Sequence, residues 1–134
     1  MDASVTLAWC FQDEATSFTE SVLNLLTKDA TIRVPAIWPL EVANALLTAE
    51  RKKRITTAQV SAFLRSMEDL PISVDSTPMV LAFDRILSLA RQQNLTEYDS
   101  SYLELAIRES LTIATLDDSL RRAARAVGVK LFDK

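Results

Sequence analysis

Short apolar runs alternate with longer amphipathic stretches along this chain. Val5 to Phe11 is apolar and predicts a first helix after a very short entry. Ala15 to Lys28 predicts a second, with Phe18, Val22, Leu25 and Leu26 inward at helical spacing. Ile32-Arg33-Val34 reads as a short strand ending at Pro35. Trp38-Pro39-Leu40-Glu41 opens a helix with proline in the first turn, and Val42, Leu46 and Leu47 line its inner face. Thr56-Thr57-Ala58-Gln59 has the form of a capping box for a helix to about Leu70. Pro71 to Val74 is a second strand, and Thr77-Pro78 opens a helix to about Gln93 with Asp84, Ser88 and Arg91 on its polar stripe. Leu111 to Thr115 is a strand. Asp118 to Val127 is a helix closed by Gly128, and Val129 to Phe132 is a last strand. Strands alternating with helices indicate an α/β fold with a parallel sheet. No linker or repeat divides the chain, so residues 1–134 are expected to form a single domain.

The stretch Leu95 to Ala106 sits at the centre of this pattern. Thr96-x-x-Asp99 has capping-box form, and Asp99, Tyr102, Leu103 and Ala106 share one helical face, while Glu104 is off that face and expected on the solvent side. Asp99 therefore lies in a first turn, on the side that faces the protein. A carboxylate there needs a partner, because unpaired buried charge is costly. Satisfying backbone N–H groups at the helix start is one such partnership.

Composition narrows the chemistry. Histidine is absent and Cys10 is the one cysteine. This excludes Ser-His-Asp and Cys-His catalysis, His or Cys zinc sites and an internal disulfide, and it fits a reducing cytoplasm. If there is catalysis here, carboxylates must carry it, and hard, oxygen-seeking cations are the natural cofactor. The net charge of −3 and pI of about 5 do not describe a chain held to nucleic acid by bulk charge. Two local basic clusters exist: Arg51-Lys52-Lys53-Arg54, and Arg121-Arg122 with Arg125. Solvated helix ends explain either equally simply. No apolar run approaches the ~20 residues of a membrane span.

Four acids fall at strand ends or helix starts, and so on one edge of the predicted sheet: Asp2, Glu41, Asp99 and Asp117. Each has a plainer explanation. Glu41 complements a helix dipole, Asp117 is placed to cap, and Asp2 is near a terminus. Converging, the four would repel one another, and a divalent cation would relieve that conflict.

Asp2-Ala3-Ser4-Val5, then Glu41-x-x-Asn44-x-Leu46, then Leu95-Thr96-x-Tyr98-Asp99-x-x-Tyr102-Leu103-x-Leu105-Ala106, then Ala114-Thr115-x-Asp117-x-x-Leu120 resemble the ordered signature of PIN domains, and within them VapC-type toxins of toxin–antitoxin pairs. The resemblance covers nearly the whole chain. It implies a three-layer α/β fold, its parallel sheet of about five strands ordered 3-2-1-4-5 and flanked by helices. It also implies an endoribonuclease using Mg²⁺ or Mn²⁺ and leaving 3′-hydroxyl and 5′-phosphate ends. By matching position, Asp2, Glu41, Asp99 and Asp117 would be its catalytic, metal-holding acids. Ser4, Asn44 and Thr115 would support them, and Arg51, Lys52, Lys53, Arg54 and Arg121 would guide RNA. The expected partners are RNA, a cognate antitoxin seated on the apolar surface around Trp9, Trp38, Leu46 and Phe63, and a second copy in a homodimer; no membrane is expected.

Two other readings stand beside this one. One is a non-catalytic interaction module on the same fold. The other is a phosphoryl-transfer domain, which fits less well: a dehalogenase-like site would place a second Asp where Ser4 stands, and a receiver domain would add a paired acidic cluster and a late-strand lysine. The family's first strand is built before its first aspartate, where this sequence has Met1 alone. The first strand is therefore expected to be truncated here, and the functional chain is expected to begin about three to five apolar residues upstream.

Overall fold

The computed structural model describes residues 1–132. The elements follow the predicted alternation closely. α1 (Ala3–Cys10) leads through a 3-10 turn (Gln12–Glu14) to α2 (Ser17–Leu26) and β1 (Ile32–Pro35). α3 (Trp38–Arg51) and α4 (Thr57–Glu68) form a helical hairpin around the basic run, and β2 (Ile72–Asp75) follows. α5 (Met79–Leu81), a π turn (Ala82–Ile86) and α6 (Leu87–Gln93) make one continuous helical run. α7 (Glu97–Glu109) and α8 (Asp118–Val127) complete it.

Local chemistry sets many of these boundaries. Thr56 accepts from the Gln59 N–H and the Gln59 side chain accepts from the Thr56 N–H, which satisfies two orphan donors at the start of α4. Gly128, at φ +79°, supplies the left-handed residue that closes α8. The π turn is not visible in the apolar spacing, because an inserted residue leaves the neighbouring turns amphipathic. Ser100, fully buried, donates to the Ile86 carbonyl at the end of that turn at 2.7 Å and fastens it to α7.

α7 is the centre of the fold. Every residue from Ser100 to Ala106 is buried, so this helix is covered all round. Leu103 and Leu120 pack there with no exposed surface, and burying each contributes about 2 kcal/mol. One hydrophobic cluster extends from Met1 to Phe132.

β1 and β2 pair in parallel, Ile32 opposite Ile72 through Pro35 opposite Asp75. A second parallel contact joins Ile113 to Leu131 as an isolated bridge. Its bonds run from the Ile113 N–H to the Lys130 carbonyl (2.9 Å) and from the Phe132 N–H to the Ile113 carbonyl (2.8 Å). These pairs are the expected 2-3 and 4-5 neighbours of the 3-2-1-4-5 order. Met1 lies between them. It lines a cavity of about 220 Å³ with Ile32 and Arg33 on one side and Leu111 and Ala114 on the other. The Asp2 N–H donates to the carbonyl of Ala114, next to Ile113, at 3.1 Å. The expected strands at Leu111 to Thr115 and Val129 to Phe132 are reduced to their bridge among the described residues.

Three side-chain expectations are corrected. Leu25 and Leu47 are 41% and 40% exposed, because their helices turn Val22 and Leu26, and Val42 and Leu46, inward instead. Glu104, expected on the solvent side, is only 3% exposed. The Asp99 face of α7 is one of two buried faces, and Glu104 lies on the other, held by Arg108 one turn on at 2.8 Å. Arg108 also reaches Asp75 at 2.6 Å, and Arg33 bridges Asp75 and Glu109 at 2.9 and 2.8 Å. This network ties β1, β2 and α7 together.

Candidate active site

Asp2 occupies the N-cap position of α1, yet its side chain does not cap that helix. Its carboxylate turns to the opposite end of the chain. Ser4 donates to Oδ1 at 2.5 Å and Thr115 donates to Oδ2 at 2.7 Å. Each hydroxyl also accepts a backbone bond: Ser4 Oγ from the Leu116 N–H (3.1 Å) and Thr115 Oγ1 from the Asp117 N–H (3.0 Å). Ser4 and Thr115, expected as supporting residues, thus clamp Asp2 onto the 115–117 turn. Asp2 is 6% exposed, and burial pushes its carboxyl up against the opposing pull of those two hydroxyls.

The other acids come from three further elements. Asp117 caps α8, its Oδ1 accepting from the Ser119 N–H at 3.0 Å, so the plain capping reading of this residue holds as far as it goes. Asp99 lies in the first turn of α7, where Thr96 accepts its N–H at 3.1 Å. Glu41 lies in the first turn of α3 and accepts a hydrogen bond from the Tyr102 hydroxyl at 2.5 Å.

The four carboxylates share one field. Asp99 is pushed up to about 6, by burial first and then by Asp117, Glu41 and Asp2. Glu41 is raised by burial and by Asp2, against the Tyr102 bond. Burial and neighbouring carboxylates together disfavour the charged forms of Asp2, Glu41 and Asp99, a setting that a cation would relieve. Among the described residues, no three acidic side chains close into a ligand cage. Two carboxylate oxygens are engaged by hydroxyls at Asp2, and one by a backbone amide at Asp117. The donor set still fits Mg²⁺ or Mn²⁺, which bind through one or two carboxylates and keep much of their water.

Not every expected residue joins this cluster. Asn44 is exposed one turn beyond Glu41 on α3. Arg51, Lys52 and Lys53 are exposed at the far end of α3, about 15 Å along the helix from Glu41. Arg54 is engaged elsewhere, pairing with Asp13 (2.9 Å) and Glu14 (3.2 Å) and lying 4.0 Å over the Phe11 ring. Arg121 does approach, donating to the Thr115 carbonyl at 3.2 Å. Trp38 and Leu46 are buried, so the apolar surface expected there is left to the part-buried Trp9 and Phe63. Tyr102 is the residue whose part in the site the sequence did not show. Its i+3 spacing from Asp99 was the available signal.

The PIN domain family profile matches residues 1–126. This chain is a PIN domain of the VapC type. It is 31% identical over 100 residues to Ribonuclease VapC3 of Mycobacterium tuberculosis, in both strain CDC 1551 / Oshkosh and strain ATCC 25618 / H37Rv. That match covers 72% of this chain and 70% of the relative. The crystal structure of PAE2754 from Pyrobaculum aerophilum shares the fold, with a TM-score of 0.68 and 24% identity over 91% of this chain and 82% of that one.

In this PIN domain Thr115 is the residue that joins two acids. Thr115→Val keeps the shape and removes the hydroxyl, leaving Asp2 Oδ2 and the Asp117 N–H without their partner. The expected cost is about 1–3 kcal/mol in chemical denaturation. Binding of Mn²⁺, read by calorimetry, is expected to weaken by roughly tenfold. A Thr115→Ser variant restores both; if it falls as far as Val, the hydroxyl alone does not account for the effect.

Proposed function

We propose that this chain is a Mg²⁺- or Mn²⁺-dependent endoribonuclease and the toxin of a toxin–antitoxin pair. The observation that supports this most directly is the convergence of acids from four separate elements, with Asp2, Glu41 and Asp99 raised by burial and by neighbouring carboxylates, in a chain without histidine. The similarity to a ribonuclease of the VapC type supports the same reaction.

Asp2, Glu41, Asp99 and Asp117 would hold the cation. When bound, it supplies Lewis acidity toward the phosphodiester and a nucleophile near neutral pH. The chain's own work is positional. Ser4 and Thr115 fix Asp2, the start of α8 fixes Asp117, and Thr96 fixes the turn that carries Asp99. Arg121, anchored on the Thr115 carbonyl, stands where it can attract a phosphate. The products carry 3′-hydroxyl and 5′-phosphate ends. The antitoxin covers the site from the part-buried Trp9 and Phe63 side, and the protein works in the cytoplasm as a homodimer. No helix among the described residues is long and apolar enough to cross a membrane.

The test is cleavage of a structured RNA by the purified chain. Cutting with Mn²⁺, its loss in EDTA and its return on adding Mg²⁺ are expected. No cutting by a folded, metal-binding protein favours the interaction-module reading. Growth arrest on expression, relieved by the neighbouring small gene, tests the toxin assignment. For the basic run, Lys52→Ala with Lys53→Ala is expected to weaken RNA binding and reduce its salt slope by about one to two phosphate contacts. An unchanged slope leaves these residues as helix-end charges.

A further inference from the structure

Tyr102 is buried to 4% exposure on a helix sealed on every side. A phenylalanine would fill the same space with no polar group to satisfy. A buried hydroxyl costs stability unless it finds a partner, and this one finds Glu41 Oε1. It meets Glu41 across 61 residues of sequence, joining the helix that carries Asp99 to the helix that carries Glu41. Among the described residues this is the sole hydrogen bond of the Glu41 side chain, so Oε2 is left for another partner.

We propose that Tyr102 is a positioning residue which pins one oxygen of Glu41, biases it toward binding through the other oxygen, and so favours a small six-coordinate cation over calcium. The inference rests on reading the acidic cluster as a metal site. A carboxylate with both oxygens free can grip Ca²⁺ in the bidentate mode its larger, looser shell accepts. With Oε1 held by a phenol, one of that oxygen's two lone pairs is taken and the carboxylate plane is fixed, so that mode is disfavoured. Mg²⁺ and Mn²⁺ need only one oxygen and an orientation that does not wander. The bond also stiffens the spacing between α3 and α7, on which that orientation depends.

The experiment is calorimetric titration of the full chain with Mn²⁺ and, separately, Ca²⁺. Unaltered protein, Tyr102→Phe, Glu41→Gln and the double variant are compared. In Tyr102→Phe, Mn²⁺ affinity is expected to fall about tenfold and Ca²⁺ affinity to hold or rise, so the preference narrows. In the Glu41→Gln background, Tyr102→Phe is expected to add no further loss. Equal falls for both ions, an unchanged Mn²⁺ affinity, or losses that add in the double variant would each overturn the proposal. A lower melting temperature with an unchanged ion preference does the same, since that is a purely structural role.

A second measurement avoids altering Tyr102. The chain has two tyrosines, and Tyr98 is 59% exposed. With Tyr98→Phe and 3-fluorotyrosine labelling, Tyr102 gives the single fluorine resonance. It is expected to shift on titration with Mg²⁺ and to stay still when Glu41 is Gln; an unmoved resonance in the Glu41 protein overturns the proposal. Failure of the unaltered chain to bind Mn²⁺ at all would bring down the metal reading itself. Binding that ignores Tyr102 brings down this inference alone.

Discussion

Asp99→Asn is expected to lower RNA cleavage by at least about a hundredfold and to leave the metal-free protein melting at the same temperature or higher. The two halves of this result come from one cause. Asp99 carries a charge that Asp117, Glu41 and Asp2 all oppose, in a half-buried first turn. Replacing it with the isosteric amide removes that repulsion, and Thr96 still accepts the backbone N–H of residue 99. The fold therefore loses little, while the site loses an oxygen donor and a negative charge. Mn²⁺ should raise the melting temperature of the unaltered protein more than that of the variant. Thermal melts with and without Mn²⁺, beside a cleavage assay, decide it. A residue that served only to cap would show the reverse: lower stability and retained cleavage.

The second large effect concerns the ion network. Arg108→Ala is expected to destabilise the protein by about 2–4 kcal/mol in chemical denaturation. Arg108 pairs with Glu104, whose side chain is 4% exposed, so the substitution strands a carboxylate inside the fold. Asp75 keeps Arg33 and suffers less. Arg108→Met together with Glu104→Leu should recover most of the loss, because removing both charges removes the desolvation that Arg108 offsets. A double variant as unstable as the single would mean that Arg108 matters through Asp75 and the β1–β2 pair instead.

These two positions also mark how far the sequence could be read. Asp99 announced itself: a capping threonine, an inward face and an apolar run place its carboxylate at a helix start facing the protein. Glu41 and Asp117 were legible for the same reason, since first turns and caps have local signatures. The helix from Asp118 to Val127 and the Thr56 capping box follow from residues within four positions of each other. Glu104 was not legible, because a helical wheel shows which face is apolar but not whether a second layer covers the other face. Tyr102 was placed on the correct face, yet its partner lies on another helix, and no local rule names it. The π turn was hidden for a related reason: its register change is absorbed at Ser100, which lies in α7. The strands at Leu111 to Thr115 and Val129 to Phe132 had the right composition, but a strand also needs neighbours along its length. Among the described residues Ala114 takes a backbone bond from the Asp2 amide, and Ile113 forms its bridge with Leu131.

The clamp on Asp2 has a consequence in time. Its two hydroxyl partners and the amides behind them come from Ser4 and from the 115–117 turn, so Asp2 is fully fixed only after a residue 113 positions further on has been synthesised. A ribosome that has made α1 through α7 has made Asp2, Glu41 and Asp99, but Asp2 still lacks Thr115 and the site still lacks Asp117. Chains stopped early, or cut anywhere before that turn, therefore carry three acids with no common anchor. The acidic cluster is therefore complete only once the 115–117 turn has reached Asp2.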